Sequence, residues 1–146
     1  MTPEAMFTAA NFIAMAGWAM LAAGVLFNHA MLRDRIAGRI VPALLAVGYT
    51  GLIVLFWAGS EGGFGSLGDV ARLFANPWLL LAGWVHYLAF DLAIGAAIAR
   101  KTFDESLPRL ILVPILPLTF LFGPIGWLAF EAVRLIAPKL QRKATA

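Results

Sequence analysis

Four stretches of this chain are long, apolar and almost free of charged residues, and nothing else restricts its fold as severely. They cover residues 6–27, 40–58, 78–99 and 110–136. At about 1.5 Å per helical residue, each can cross roughly 30 Å of hydrocarbon. With 62% hydrophobic and 13% charged residues, the chain departs far from the balance of a soluble domain. Lipid offers the backbone no hydrogen-bonding partner, so a span must be a helix or part of a closed barrel. The stretches lack the alternation of barrel strands and are rich in Ala, Leu and Gly. The expected fold is therefore all-α: an integral membrane four-helix bundle, one transmembrane domain over residues 1–146, with a Pro-broken fourth segment.

Several functional classes fall away at once. The chain has no cysteine, which removes disulfides, thiolate nucleophiles and iron–sulfur clusters. Its net charge of +3 comes from basic residues at helix ends, where lipid head groups meet them, so the expected partner is the lipid bilayer and not nucleic acid. The first stretch has no basic residues ahead of it and is too long for a secretory signal, so it reads as a span.

The linkers suggest an orientation. Arg33, Arg35 and Arg39 follow the first stretch and Arg100, Lys101 and Arg109 follow the third, whereas residues 59–77 carry only Arg72. The positive-inside bias then favours an outside N-terminus. Four simple crossings would leave Lys139, Arg142 and Lys143 outside, against that bias. Pro114, Pro117 and Pro124, with Phe122-Gly123-Pro124-Ile125-Gly126, offer a way out, because a broken or re-entrant segment returns the tail to the inside. Ahead of the third stretch, Leu67, Val70, Leu73 and Phe74 repeat at helical spacing and predict a short interfacial helix over 66–76. Trp57, Trp78 and Trp127 read as an aromatic belt near the same side. Ala10, Ala14, Gly17 and Gly24 form a small-residue stripe on the first helix, which permits close approach of another.

Ionisable groups inside a span are costly and therefore informative. Here they are His86, Asp91, Glu131 and Arg134, with His29 just beyond the first span. At 100° per residue, His86 and Asp91 point about 140° apart, so each needs its own partner. Asp91 shares a stripe with Tyr87 and Trp84, and the phenol is placed to donate to the carboxylate. In the frame of four crossings, His86, Tyr49 and Thr50 lie about 13 Å, and Asn11 and Glu131 about 8 Å, below the outer edge. The expected site is that polar layer, with Asp91 and Thr119 nearer the middle. The competing readings are structural: Glu131 paired with Arg134, and His86 and Asp91 as interhelical staples. Haem shared by His29 and His86 is excluded by their separation of about 22 Å along the membrane normal. A metal site of His86, Glu131 and Asp91 is disfavoured, since helical metal proteins usually carry ligands paired at i,i+3 or i,i+4.

The stretches NPWLLLAGWVHYLAFDL at 76–92 and PLTFLFGPIG at 117–126 resemble the two signature regions of the abscisic-acid-deficient-4-like family, also called neoxanthin synthase-like, and of its bacterial more than its plant pattern. Trp84, His86 and Asp91 are the most distinctive part, followed by Phe122-Gly123-Pro124. In plants the family is tied to forming neoxanthin from violaxanthin, an isomerisation that opens an epoxide and makes an allene. The resemblance implies a carotenoid or other isoprenoid among the helices, with polyene cleavage as another possible outcome. It also implies a group that protonates oxygen and a group that removes a carbon-bound proton. His86 and Asp91 are then the first choices, Glu131 the next, with Trp84, Tyr87, Tyr49, Thr50, Asn11 and Thr119 around the substrate. No cofactor is indicated. The alternative class is a non-catalytic subunit or scaffold, as a homo-oligomer or within a larger membrane complex.

Overall fold

The computed structural model describes residues 2–144, with side chains up to residue 136. Its six helices are α1 (Pro3–Leu26), α2 (Met31–Phe56), α3 (Leu67–Phe74), α4 (Pro77–Asp104), α5 (Leu112–Phe122) and α6 (Pro124–Ala144). No strand occurs among the described residues. Helices α1, α2 and α4 are each long and apolar enough to cross a membrane, which is compatible with a membrane protein.

Local chemistry sets the helix ends. Thr2, Ser66 and Asn76 cap α1, α3 and α4 by accepting a backbone N–H, and Pro3 and Pro77 occupy the first turns, where a missing N–H costs nothing. At the end of α1, Asn28 is left-handed (φ 53°) and the His29 N–H reaches back to the Gly24 carbonyl at 2.8 Å. At the end of α4, Ser106 takes the same conformation (φ 53°) and the Leu107 N–H reaches the Thr102 carbonyl at 2.9 Å. Both are Schellman closures, which satisfy carbonyls that the helix leaves free. The first closure is compact enough that α2 begins at Met31, well before the expected span at residue 40. Its opening residues, Met31–Ile40, are wound as a π-helix, and the Val41 N–H bonds the Ile36 carbonyl five residues back.

Helix α4 is the axis of the molecule and the most buried of the three long helices. Lipid tails are as apolar as leucine, so close packing rather than the hydrophobic effect must hold the helices to it. The small-residue stripe of α1 serves this purpose: Ala10, Ala14, Gly17 and Gly24 are all buried. A Cβ added at Gly17 would lie 2.5 Å from a Leu92 methyl, and one at Gly24 would lie 2.6 Å from the Arg33 backbone nitrogen. Phe7 meets Trp84 and Gly95 receives the Trp18 ring, so α1 runs parallel to α4. Tyr49 meets His86 and Phe56 stacks on Trp78 at 4.4 Å, so α2 runs antiparallel.

The fourth apolar stretch is not one crossing. Helix α5 rises antiparallel to α4, from Arg109 beside Phe103 to Leu121 beside Tyr87. The chain turns at Gly123, and α6 descends parallel to α4, passing Lys101 at Glu131 and Glu105 at Arg134. The segment is a helical hairpin whose apex meets the middle of α4, where a Cβ at Gly123 would fall on the Asp91 carboxylate. The turn is tight, since a Cβ at Gly126 would fall on the Thr119 side chain and backbone. Proline at 124 offers no N–H to the preceding turn, and glycine on both sides removes the side chains that would hold the legs apart.

This hairpin corrects three expectations. The bundle is three long helices with a hairpin against them, so the fourth segment is broken as expected and takes the re-entrant form instead of a fourth simple crossing. Trp127 lines a small cavity with Ile94, Ile98 and Lys101, away from Trp57 and Trp78. Glu131 lies beside the carboxyl-terminal part of α4, far from the amino-terminal half that carries His86. All three follow from the chain reversing at Gly123 instead of continuing toward the amino-terminal end of α4. The side chains of Lys139, Arg142 and Lys143 lie outside the described residues, while the backbone of α6 runs toward the same end as Arg33, Arg100 and Arg109.

Candidate functional site

Three places hold the polar residues singled out in the sequence, and α4 separates them. The first is the hairpin apex. Asp91 is 6% exposed, and its Oδ2 has no hydrogen-bond partner. Tyr87, one turn earlier, donates its phenolic proton to the Leu121 carbonyl at 2.8 Å, with its oxygen also close to the Asp91 carboxylate. This carbonyl is one that the break at Gly123–Pro124 deprives of its helical N–H, so the tyrosine repairs the defect and the carboxylate is left without the expected donor. Thr119 is buried at the same apex and returns its hydroxyl proton to the Ile115 carbonyl at 2.8 Å.

From the apex an aromatic seam leads toward the amino-terminal end of α4. Leu80, Trp84, Tyr87 and Asp91 recur at spacings of four, three and four and so share one stripe. Trp84 stacks on Tyr87 at 5.4 Å between centroids, meets Phe7 at 5.6 Å, and donates its indole N–H to the Asn11 side-chain oxygen at 3.3 Å. Asn11 is itself fixed by donating to the Phe7 carbonyl at 2.7 Å. Between α1 and α4 the seam opens as a cavity of about 390 Å³ edged by Phe7, Leu80 and Trp84. Its lining is mostly apolar and aromatic, with Glu4 and Thr8 as its polar residues.

The second place is on the other side of α4. His86 is exposed, stacks on Phe90 at 4.7 Å and meets Tyr49 edge-on at 5.5 Å. With Trp57, Phe64 and Phe74 these two residues line a separate cavity of about 280 Å³ between α2, α3 and α4. Thr50 does not join them, because its hydroxyl donates to the Ala46 carbonyl at 2.8 Å on the exposed face of α2. The third place is an ion-pair cluster at the carboxyl-terminal end of α4. Arg134 pairs with Glu131 and with Glu105, and Lys101 approaches Glu131 at 3.9 Å.

The structure therefore brings Asn11, Trp84, Tyr87, Asp91 and Thr119 along one seam and its end. Tyr49 and His86 sit in a second pocket, and Thr50 and Glu131 are apart from both. The wheel angle between His86 and Asp91 anticipated the first separation, while the polar layer that joined His86 with Glu131 does not form. A carboxyl group at the apex can exchange a proton, and the aromatic wall beside it offers flat apolar contact. Two residues absent from the sequence-based site belong to its architecture: Gly123, whose missing side chain admits the carboxylate, and Leu121, whose freed carbonyl fixes Tyr87. The glycine was visible only as a helix breaker, and nothing in the sequence marks a leucine by its backbone oxygen.

No curated protein and no solved structure matches the chain. The model of one family, described as ABA DEFICIENT 4-like, matches residues 5–130, a range that runs from the start of α1 through the seam and the apex into α6. The chain belongs to the ABA DEFICIENT 4-like family.

Proposed function

We propose that the protein binds a carotenoid or a related isoprenoid in the seam between α1 and α4 and presents Asp91 to an oxygen-bearing end of it. One observation carries this reading: a buried carboxylate with an unpartnered oxygen lies at the end of an aromatic-walled stripe, in the middle of an otherwise apolar helix. A buried carboxylate is expensive, and within a span such a group is a functional candidate before it is a structural one. As a staple it would show a partner on both oxygens, and Asp91 does not.

The chemistry is an isomerisation. Asp91 in its protonated form gives a proton to the ring oxygen as the C–O bond opens, and the resulting carboxylate removes a proton bonded to carbon. The group ends as it began, with no net oxidation and no second reactant. Tyr87 holds the apex closed by its bond to Leu121 and fixes the wall against which the polyene lies. His86 faces a different pocket, so one extended substrate in the seam meets Asp91 alone. For orientation, the basic end that carries Arg33, Arg100, Lys101, Arg109 and Arg134 faces the cytoplasm of a bacterial inner membrane, and the N-terminus faces out. The hairpin supports this reading, because it returns α6 to the basic end.

The experiment is purification from a carotenoid-producing host, with absorption and mass spectrometry on the protein and on the host's pigment extract. Wild type carries a stoichiometric polyene, or its host accumulates an isomer missing from the control. Asp91→Asn folds and inserts but loses turnover at least tenfold, as expected for removal of a general acid–base group, while His86→Gln keeps it. Equal activity for Asp91→Asn and loss for His86→Gln would move the reaction to the Tyr49–His86 pocket. A colourless protein and an unchanged pigment profile would leave the non-catalytic scaffold as the reading.

A further inference from the structure

At the basic end, two guanidinium groups share one ring. Arg33 lies over Phe103 with its Cζ 3.9 Å from the centroid, and Arg109 lies 4.5 Å from the same centroid. Their cationic carbons are therefore no farther apart than those two distances laid end to end. Arg33 is 5% exposed, and Asp34 takes its Nε and Nη2, each at 2.8 Å, leaving Nη1 buried and without a partner. Arg109 is exposed and makes no ion pair among the described residues. Three formal charges thus meet, two positive and one negative, and the outer arginine is the one left without a counter-ion.

That arginine stands at the mouth of a groove of about 510 Å³ between α1 and α5. Trp18, Val25, Leu116 and Phe120 line the groove, and Trp18 and Phe120 meet edge-on at 5.4 Å to close its inner end. From Arg109 to Phe120 the groove follows α5 for about 16 Å, which matches a long run of acyl methylenes. A cation at the head and an apolar slot behind it describe an amphiphile, and the charge left over at the mouth calls for an anionic one. We propose that the α1–α5 groove is a binding site for one anionic phospholipid, its phosphate on Arg109, in the field of Arg33, and an acyl chain along Trp18 and Phe120. The groove continues the α1 face of the seam toward the basic end, beyond the Trp18–Phe120 pair, and its test does not depend on the isoprenoid reading.

The test is native mass spectrometry of the full chain extracted from vesicles of equal phosphatidylglycerol and phosphatidylcholine. One phosphatidylglycerol is retained in preference to phosphatidylcholine, and Arg109→Gln lowers that preference about fivefold, the share of one arginine at an anionic surface. Arg72→Gln, at the other end of the molecule, leaves it unchanged. Phosphatidylglycerol brominated along its chain quenches wild-type fluorescence more than that of Trp18→Phe. Equal retention of the two lipids by wild type, or quenching that is the same in Trp18→Phe, overturns the proposal without bearing on Asp91. An isoprenyl phosphate that displaces phosphatidylglycerol through the same Arg109 dependence also overturns it, by assigning the groove to that lipid.

Discussion

The pair most worth testing by substitution is Asp91 and Gly123, because each fits only in the presence of the other. The three atoms nearest to a methyl group at position 123 would all belong to the Asp91 carboxylate. Gly123→Ala should therefore destabilise the protein by about 1–3 kcal/mol, the usual cost of overpacking. Adding Asp91→Ala removes those three atoms, so the double variant should melt above Gly123→Ala alone in detergent, a coupling typical of residues in contact. Gly48→Ala, where a Cβ meets nothing within 4 Å, is the silent control. Glu131 belongs to a different set of interactions. It is held by Arg134 and Lys101 at the basic end, so Glu131→Gln should leave pigment retention within about twofold of wild type, as surface ion pairs are worth little. A loss like that of Asp91→Asn would return Glu131 to the site.

Among the elements, the hairpin of α5 and α6 decides the most. Its two glycines differ in what stands against them: a side chain at Gly123, and both side chain and backbone of Thr119 at Gly126. Backbone cannot be trimmed away, so Gly126→Ala should cost more than Gly123→Ala, and Thr119→Ala should not rescue it. Thermal melts of the three variants check this ranking. Tyr87→Phe removes the donor to the Leu121 carbonyl and should cost about 1 kcal/mol, read as a drop of a few degrees in melting temperature. Helix α3 is simpler. Ser66 accepts from the Asp69 N–H and donates to its carboxylate, and with Arg72 it holds that carboxyl below its ordinary range. A depressed pKa stabilises above the unfolded value, so the cap persists at neutral pH and is lost as pH falls through the folded value. Faster amide exchange in α3 under acid conditions, with α4 unaffected, is the expected signature. Sequence periodicity found this helix at nearly its true length, but Leu67, one of its four periodic residues, points outward and is 86% exposed.

At the scale of the whole molecule, the prediction concerns which ends lie together. Helix α1 begins beside the start of α4, and α6 descends beside its end, so the two termini of the described chain lie at opposite ends. The absence of native cysteine makes this simple to measure. Thr2→Cys and Ser60→Cys should react with an impermeant maleimide from one side of the membrane, and Ser106→Cys from the other. A reporter fused after residue 146 should share the side of Ser106. A reporter on the side of Ser60 would mean that the last segment crosses fully and that the hairpin is wrong.

Much of this was legible without coordinates. Span length and the scarcity of charge define an apolar helical protein, because lipid leaves the backbone no other way to pair its hydrogen bonds. The stripe Ala10, Ala14, Gly17 and Gly24 marks the contact face of α1, since only small side chains allow helices so close. The fixed turn of a helix also separates His86 from Asp91 before any neighbour is known. What the sequence could not decide is where the chain goes after Gly123. Proline and glycine announce a break, but the direction beyond it depends on what waits there to take the freed carbonyl and fill the space at the glycine. Tyr87 takes the first and Asp91 the second, and both lie more than thirty residues away. That long-range fit moves Glu131 and Trp127 to the basic end and leaves one carboxylate oxygen without a partner. It arises from the meeting of two segments, so neither segment could declare it alone.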